Sequence, residues 1–258
     1  MKTIVTLAIL SLSGLAWHPL AAAAAGDPGI SLHPDHIEIG AGYDGTRVSV
    51  SGRVPSGASA LVRLTGPPED RRLKQKGRAL GLLWMNLASV EISRVPDVFL
   101  LYLPEGTPAE KTTGDSPWRP LGLKGVEAHA DIVATDPDKA AIFDEFVKLK
   151  EKAGLYGVIE NAVHYGADDG RMKAFHALLT LPAALPQGRY RVEVLTMANG
   201  AVSTMSIHEI DAREVGMPAW ISTLAFGHGT LYGVLAVLVA VIAGLVSGVM
   251  FKDKGGAH

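Results

Sequence analysis

The side chains best suited to chemistry form a basic cluster of five cations within eight residues, Arg71, Arg72, Lys74, Lys76 and Arg78. Cations at this density attract sulfate-like anions, lipid headgroups or an acidic partner surface. Glu69 and Asp70 come directly before the cluster and offset part of its charge. Two hypotheses therefore stand: this segment contacts an anion or a partner, or it is a solvated loop.

Thiol and metal chemistry find little support in the sequence. The chain has no cysteine, which excludes thiol catalysis, Cys-ligated zinc, iron–sulfur clusters and c-type haem attachment. His33 and His36 flank Pro34 and Asp35 as a candidate ligand pair, but no third or fourth ligand follows at a fitting spacing. Four further histidines are scattered: His129, His164, His176 and His208. We predict that the protein holds neither a metal nor a cofactor.

The sequence carries no G-x-S-x-G, no H-E-x-x-H and no defensible pair of catalytic acids. The glycines between Gly227 and Gly233 are spaced like those of a nucleotide-binding loop. They precede an apolar segment, however, and do not join a strand to a soluble helix. We predict that the protein is not an enzyme. The net charge of -2 also argues against a dedicated nucleic-acid binder.

Short apolar alternations separated by turn residues indicate two β-rich blocks, from Ile30 to Tyr102 and from Met172 to Ile210. Asn199-Gly200 is a strong hairpin signal within the second block. Strands at this spacing are typical of an immunoglobulin-like β-sandwich. Trp84 and Asn86 lie in a strand-like run, where a packed core role is the simpler interpretation.

A helix near 137–153 is predicted between the two blocks. Asp136 is suited to the N-cap, Pro137 to the first helical position and Gly154 to the C-terminal stop. The predicted apolar stripe consists of Ile142, Phe146 and Leu149, broadened by Phe143 and Ala153. The fold class is therefore mainly β with one inserted helix, followed by a C-terminal transmembrane α-helix.

The N-terminus has the features of a signal peptide. Lys2 supplies the positive charge, the stretch from Ile4 to Trp17 is apolar, and Ala21 to Ala25 offers Ala-x-Ala cleavage sites before Gly26. An uncleaved N-terminal anchor is the alternative, although the apolar run is short for a span.

The C-terminal segment from Leu231 to Phe251 has 21 residues without a charge. As a helix it is about 31 Å long, which matches the hydrocarbon core of a bilayer. Lys252 and Lys254 follow as a stop-transfer and positive-inside signal. Small residues recur every fourth position and predict a helix-packing face, Ala236, Ala240, Gly244 and Gly248.

These features predict a single-pass protein of the bacterial inner membrane with a periplasmic N-terminal domain and a cytoplasmic C-terminus. The predicted units are a signal peptide (1–25), an extracytoplasmic β-rich domain (26–216), an interfacial connector (217–230), the transmembrane helix (231–251) and a cytoplasmic tail (252–258).

Several segments together resemble the Alph_Pro_TM family of bacterial single-span proteins. They are the run from Gly77 to Asn86, the helix end before Gly154-Leu-Tyr, the Leu-Pro-Gln-Gly turn at Leu185, and the Leu-Tyr-Gly start of the span at Leu231. The resemblance covers nearly the whole chain after residue 25. It departs at Asn199-Gly200, where the family tends to have an aromatic-rich hairpin, and at the Lys-Asp-Lys end, where an arginine pair is usual.

The resemblance implies a periplasm-facing protein with no activity to transfer residue by residue. Genes of the family often lie near sulfite-exporter-like permeases, which suggests an accessory role for an anion or sulfur-compound permease. The expected partners are the lipid bilayer and either a permease or a second copy of the chain. The alternative function is a stand-alone periplasmic anion-binding or envelope scaffold domain.

Overall fold

The computed structural model describes residues 29–79, 83–134 and 138–252. Twelve strands lie within these ranges: β1 (Ser31–His33), β2 (His36–Ile39), β3 (Gly45–Pro55), β4 (Ser59–Thr65), β5 (Pro68–Ala79), β6 (Leu83–Pro96), β7 (Phe99–Pro104), β8 (Asp131–Val133), β9 (Tyr156–Asp168), β10 (Met172–Pro182), β11 (Gly188–Ala198) and β12 (Ala201–Glu214). The helices are α1 (Leu123–His129), α2 (Lys139–Lys152), α3 (Met217–Gly227) and α4 (Gly229–Lys252), with 3₁₀ turns at Ala109–Thr112 and Arg119–Leu121.

Nine strands form one sheet in the order β1-β3-β10-β9-β7-β4-β11-β12-β2. β1 pairs antiparallel with β3 at one edge, and β2 pairs parallel with β12 at the other. Only Pro34 and Asp35 separate β1 from β2 in the chain. The three residue steps from His33 to His36 span at most about 11 Å, so β1 and β2 lie close together. The sheet must therefore curl until its two edges meet around a common core.

Tyr190 lies near the start of β11 and is fully buried. Its hydroxyl donates to the backbone oxygen of Pro186 at 2.6 Å. A buried tyrosine that bonds back to the preceding turn is the tyrosine corner of immunoglobulin-like sandwiches. The prediction of a mainly β domain followed by an apolar C-terminal helix is confirmed.

Asn199 and Gly200 join β11 to β12, with φ values of 50° and 77°. Two consecutive positive φ values define a type I′ hairpin turn, as their sequence predicts. Two features of the domain were not predicted. β9 precedes the second β block, and the segment between β7 and β8 contains α1 and the two 3₁₀ turns.

The core lies inside the curled sheet and extends under α2. All six residues of β7 are buried, which makes it a central strand. On α2, Phe143 and Phe146 are buried, and the ring of Phe146 meets that of Tyr156 edge-on at 5.7 Å. α2 therefore covers the start of β9.

α2 begins two residues later than predicted. Asp138 is the N-cap, and its side chain accepts a hydrogen bond from the backbone N–H of Ala141 at 3.0 Å. Asp136 and Pro137, which we predicted as N-cap and first helical residue, lie outside the described residues. Gly154 follows the helix with a φ of 71°, in agreement with its predicted role as C-terminal stop.

β5 and β6 form a long hairpin, which β8 extends to a separate three-stranded sheet. The pairing runs from Pro68 opposite Pro96 to Ala79 opposite Leu83. The basic cluster therefore lies along a strand, and the backbone of Trp84 and Asn86 lies in the strand that pairs with it.

Two helices follow the domain. β12 ends at Glu214, and only Val215 and Gly216 separate it from α3. α4 then starts after His228 and encloses the predicted span 231–251. The predicted signal peptide and most of the predicted tail lie outside the described residues.

Candidate functional site

The basic cluster does not converge on one point. Arg71 pairs with Glu69 at 2.7 Å, whereas Arg72 lies 3.4 Å from Glu91 on the facing strand. Lys74 lines a different feature, an apolar groove of about 240 Å³ between the hairpin and α2. The side chains of Lys76 and Arg78 lie outside the described part of the chain. Two of the five cations thus already have a carboxylate partner.

A buried charge cluster lies at the base of the hairpin. Lys150 of α2 is 6% exposed, pairs with Glu69 of β5, and donates to the backbone oxygen of Asp97 at 2.9 Å. The phenol of Tyr156 donates to the backbone oxygen of Pro96 at 2.6 Å. These contacts tie the helix, the base of the hairpin and the start of β9 together. The cluster is therefore a structural junction between three elements.

The carboxyl group of Asp97 is the strongly perturbed acid of this cluster. Burial, followed by the nearby charge of Glu69, raises the pKa of Asp97 to about 6, while the charge of Lys150 opposes this shift. Within the described structure, Oδ1 of Asp97 is buried without a hydrogen-bond partner. Because an ionised carboxylate is costly in such a place, Asp97 responds to pH near neutrality.

The structure also forms an arginine cleft that the sequence did not reveal. Two adjacent cavities of about 390 and 220 Å³ share Thr65, Arg94, Pro96 and Arg191 as lining residues. Arg189 lines the first cavity and Arg63 the second. Glu209 and Glu193 also line the cleft, and its walls include Phe99, Val126 and Tyr190.

The four arginines of the cleft differ in how firmly they are held. Arg63 pairs with Glu193 at 2.6 Å, and both side chains are mostly buried. Arg94 and Arg189 each lie 3.6 Å from a carboxylate, and these pairs are largely exposed. Arg191 makes no ion pair with any described residue. The cleft thus combines one fixed arginine with three whose donors are available.

The only sequence signal for the cleft is the alternation Arg189, Arg191, Glu193 along β11, which places all three side chains on one face. Arg63 joins them because β4 pairs with β11, bringing Arg63 opposite Glu193. Arg94 comes from the hairpin base and cannot be placed without the tertiary structure.

Two of the described histidines lie close together. His164 and His176 pair across β9 and β10, with ring centroids 5.2 Å apart. His36 bonds to the neighbouring Asp35 at 2.8 Å. Within the described ranges, no group of three or more His, Cys, Asp or Glu side chains is placed to hold a metal ion.

α4 is the one helix among the described residues that is long and apolar enough to cross a membrane, from Gly229 to Met250. No part of this segment is buried by the rest of the chain. The predicted packing face is open as well: a Cβ added at Gly244 or Gly248 meets no atom within 4 Å.

The fold and this helix define the class as a mainly β domain followed by one candidate membrane span among the described residues. The chain belongs to the family described as "Putative transmembrane protein" (Alph_Pro_TM), whose model matches residues 29–253. The family resemblance drawn from the sequence is therefore confirmed. No curated protein matches the chain in sequence.

Proposed function

We propose that the protein is a non-enzymatic accessory module of the bacterial inner membrane, with its β domain in the periplasm. Its partner is a membrane permease for anions or sulfur compounds, or a second copy of the chain. The observation that carries the proposal is an entirely exposed apolar helix of 22 residues in a member of a transmembrane family.

The short connection between domain and helix supports a role at the membrane surface. Two residues link β12 to α3, so the end of β12 cannot move far from the bilayer. On α3, Trp220 is 59% exposed and Phe226 is 91% exposed. Aromatic side chains of this kind are favoured at the headgroup level. An accessory domain placed there sits beside the periplasmic face of a membrane protein.

The small-residue face of α4 supports helix–helix contact as the means of docking. Small residues at every fourth position allow two backbones to approach closely in lipid, where dispersion contacts drive association. Ala236, Ala240, Gly244 and Gly248 are all exposed along this face. The gene neighbourhood implied by the family supports a permease as the partner.

The test is a double substitution, Gly244→Leu with Gly248→Leu, in the full chain in its native membranes. The matched control, Val246→Leu with Val249→Leu, places two leucines on the opposite side of the same helix. We expect the first variant to lose crosslinks to its membrane partner, or to a second copy carrying a different tag. The control should keep them. Undiminished crosslinking in the glycine variant would contradict the proposed docking face.

The stand-alone anion-binding domain is the second candidate function. The observation that favours it is the arginine cleft, since it lies within the β domain and involves no residue of α4. Ligand binding that survives the Gly244→Leu, Gly248→Leu double substitution would fit this function. The two candidate functions are therefore separable by experiment.

A further inference from the structure

We propose that the arginine cleft binds an organic oxyanion, a phosphate or sulfonate group carried on a small body, with Arg191 as its principal contact. The proposal goes beyond the accessory role and does not depend on a membrane partner. It also replaces the basic cluster of the hairpin with a different group of residues as the anion site.

The charges of the cleft favour an anion. Its lining includes Arg63, Arg94, Arg189 and Arg191 against two carboxylates, Glu193 and Glu209, a formal surplus of two positive charges. The whole chain carries a net charge of -2, so this surplus is local. Positive charge concentrated in a concave site of an acidic protein attracts anions over long range and binds them at contact.

Within the described ranges, Arg191 is the cleft arginine that makes no ion pair. In the strand register Arg191 lies opposite Thr65 on β4 and opposite Glu209 on β12. It therefore lies in the middle of the cleft, between Arg63 on β4 and Arg189 on β11. A guanidinium presents its N–H donors as a planar fork that fits carboxylate or phosphate oxygens in a bidentate manner. An oxyanion in the cleft would complete the hydrogen bonding of this side chain.

The neighbouring arginines can turn to a ligand at little cost. The pairs Arg94–Asp131 and Arg189–Glu209 are both 3.6 Å long, with every side chain more than half exposed. Exposed pairs of this kind contribute little to stability. Exchanging either for a ligand oxyanion therefore loses little, whereas the closer and mostly buried Arg63–Glu193 pair keeps its place.

A β-bulge places Arg94 at the cleft. Glu69 pairs with Val95 and Arg71 with Ile92, so β6 contains one extra residue at this point. Arg94 has a φ of 60°, which is unusual for a residue other than glycine, asparagine or aspartate. Bulges redirect side chains and recur next to binding sites. The irregular backbone at the bulge thus coincides with the residue, Arg94, that β6 contributes to the cleft.

The dimensions and walls of the cleft select an anion with a body. The two cavities, about 390 and 220 Å³, exceed the space that a bare inorganic oxyanion fills. Pro67 and Pro68 offer apolar surface beside Arg189 in the first cavity, and Phe99 and Val126 offer it in the second. Sites of this character bind small organic molecules through a few polar groups set in apolar surroundings.

The phosphate belongs either to a free metabolite or to a lipid headgroup. A headgroup is a candidate because Arg189 lies opposite Asp211 in the strand register, only three residues before β12 ends and the chain leads to the helices. The experiment separates these sources. The full chain is placed in nanodiscs of phosphatidylcholine and titrated calorimetrically with glycerol 3-phosphate and methanesulfonate at constant ionic strength. In a second arm, native mass spectrometry counts the phosphatidylglycerol molecules retained from mixed nanodiscs.

We expect saturable binding in at least one arm, weakened about 10- to 100-fold by Arg191→Gln, as for the loss of a charge-assisted contact. The matched control, Arg72→Gln in the basic cluster, removes the same charge and should leave affinity unchanged. Arg94→Gln is a second cleft variant and should also weaken binding. It serves as the test if Arg191→Gln does not fold. Retention of phosphatidylglycerol without calorimetric binding would identify a headgroup as the ligand.

Two results would overturn the proposal. One is the absence of saturable binding in both arms. The other is an equal loss of affinity in Arg191→Gln and Arg72→Gln, which would mean that the anion responds to overall charge and not to the cleft.

Discussion

Gly66 faces the buried carboxyl group of Asp97, and the space between them leaves no room for a side chain. A Cβ at residue 66 would overlap Oδ1 of Asp97 and lie 3.0 Å from the Tyr190 ring. We therefore expect Gly66→Ala to lower the free energy of unfolding by at least about 1–3 kcal/mol, the usual cost of overpacking. Urea denaturation measures this value. Gly57→Ala is the control, because nothing lies within 4 Å of its added Cβ, and an equal loss there would contradict the prediction.

The raised pKa of Asp97 gives the protein a pH-dependent stability of known sign. The folded-state pKa is about 6 against a reference of 3.8, so the folded state holds this proton when the unfolded state has lost it. The contribution is fully present below pH 4 and is lost as pH rises to 6 and beyond. It amounts to about 3 kcal/mol, and it is superimposed on the titration of the other groups.

Asp97→Asn should remove this contribution because the amide does not ionise. Compared with the wild type, the variant should gain stability as pH rises from 4 to 7, as followed by thermal unfolding of both proteins. Asp115→Asn, at an exposed aspartate, serves as control. If the difference between Asp97→Asn and wild type stays constant across this range, the assignment of a raised pKa to Asp97 is wrong.

At this scale the sequence predicts a residue's role well only where the role is local. Asn199-Gly200 forms the predicted turn because its φ values depend on two adjacent residues. Arg63, Arg94 and Arg191 could not be grouped, since they come from three strands joined by long-range pairing and by a bulge. The dense basic cluster drew attention in the sequence, yet in the structure two of its arginines pair with nearby glutamates.

Among the elements, α2 depends on a buried lysine for its docking. Lys150→Met would leave Oε1 of Glu69 and the backbone oxygen of Asp97 without the buried ammonium group, while Arg71 would still pair with Oε2 of Glu69. Breaking a buried pair in this way costs about 3–5 kcal/mol, and we expect a loss of stability of that size in urea denaturation. Lys148→Met is the matched control, because its pair with Glu145 is exposed, and it should leave stability nearly unchanged.

A second substitution separates charge from packing in this junction. Glu69→Gln combined with Lys150→Met also removes the carboxylate that has lost its pair with Lys150. The double variant should therefore recover part of the lost stability. No recovery in the double variant would mean that the lysine acts through its aliphatic contacts and not through its charge. The ammonium group of Lys150 also lies within 6 Å of the ring centroids of Phe146 and Tyr156, and Lys150→Met removes these cation–π contacts in both variants.

The same lysine shows why the helix was predicted but its buried face was not fully predicted. The apolar positions indicated a stripe through Ile142, Phe146 and Leu149. In the structure the buried residues are Phe143, Phe146, Val147 and Lys150, while Leu149 is 56% exposed. A hydrophobic pattern places charged residues on the exposed face of a helix, so it could not predict that Lys150 is buried. Because Lys150 is buried against Glu69, the buried face of α2 differs from the predicted stripe.

Across the whole molecule, the order of the chain determines what lies near the membrane. β12 leads into α3 through two residues, β11 pairs with β12, β4 pairs with β11, and the hairpin begins shortly after β4 in the chain. The arginine cleft and the buried charge cluster therefore both lie at the end of the domain from which the helices leave. A ligand or partner at the membrane surface would meet this end first.

The orientation of the chain can be tested cleanly because it has no cysteine, so each introduced thiol is unique. Ser203→Cys places a thiol at an exposed position near the β11–β12 turn, and Ala257→Cys places one beyond Lys252 and Lys254. With the positive residues on the cytoplasmic side, we expect a membrane-impermeant maleimide to label residue 203 in intact spheroplasts. Residue 257 should react only after lysis. Labelling of residue 257 in intact spheroplasts, with residue 203 protected, would reverse the topology. It would also place the arginine cleft among cytoplasmic anions, so the same two thiols decide which pool of ligands the cleft can reach.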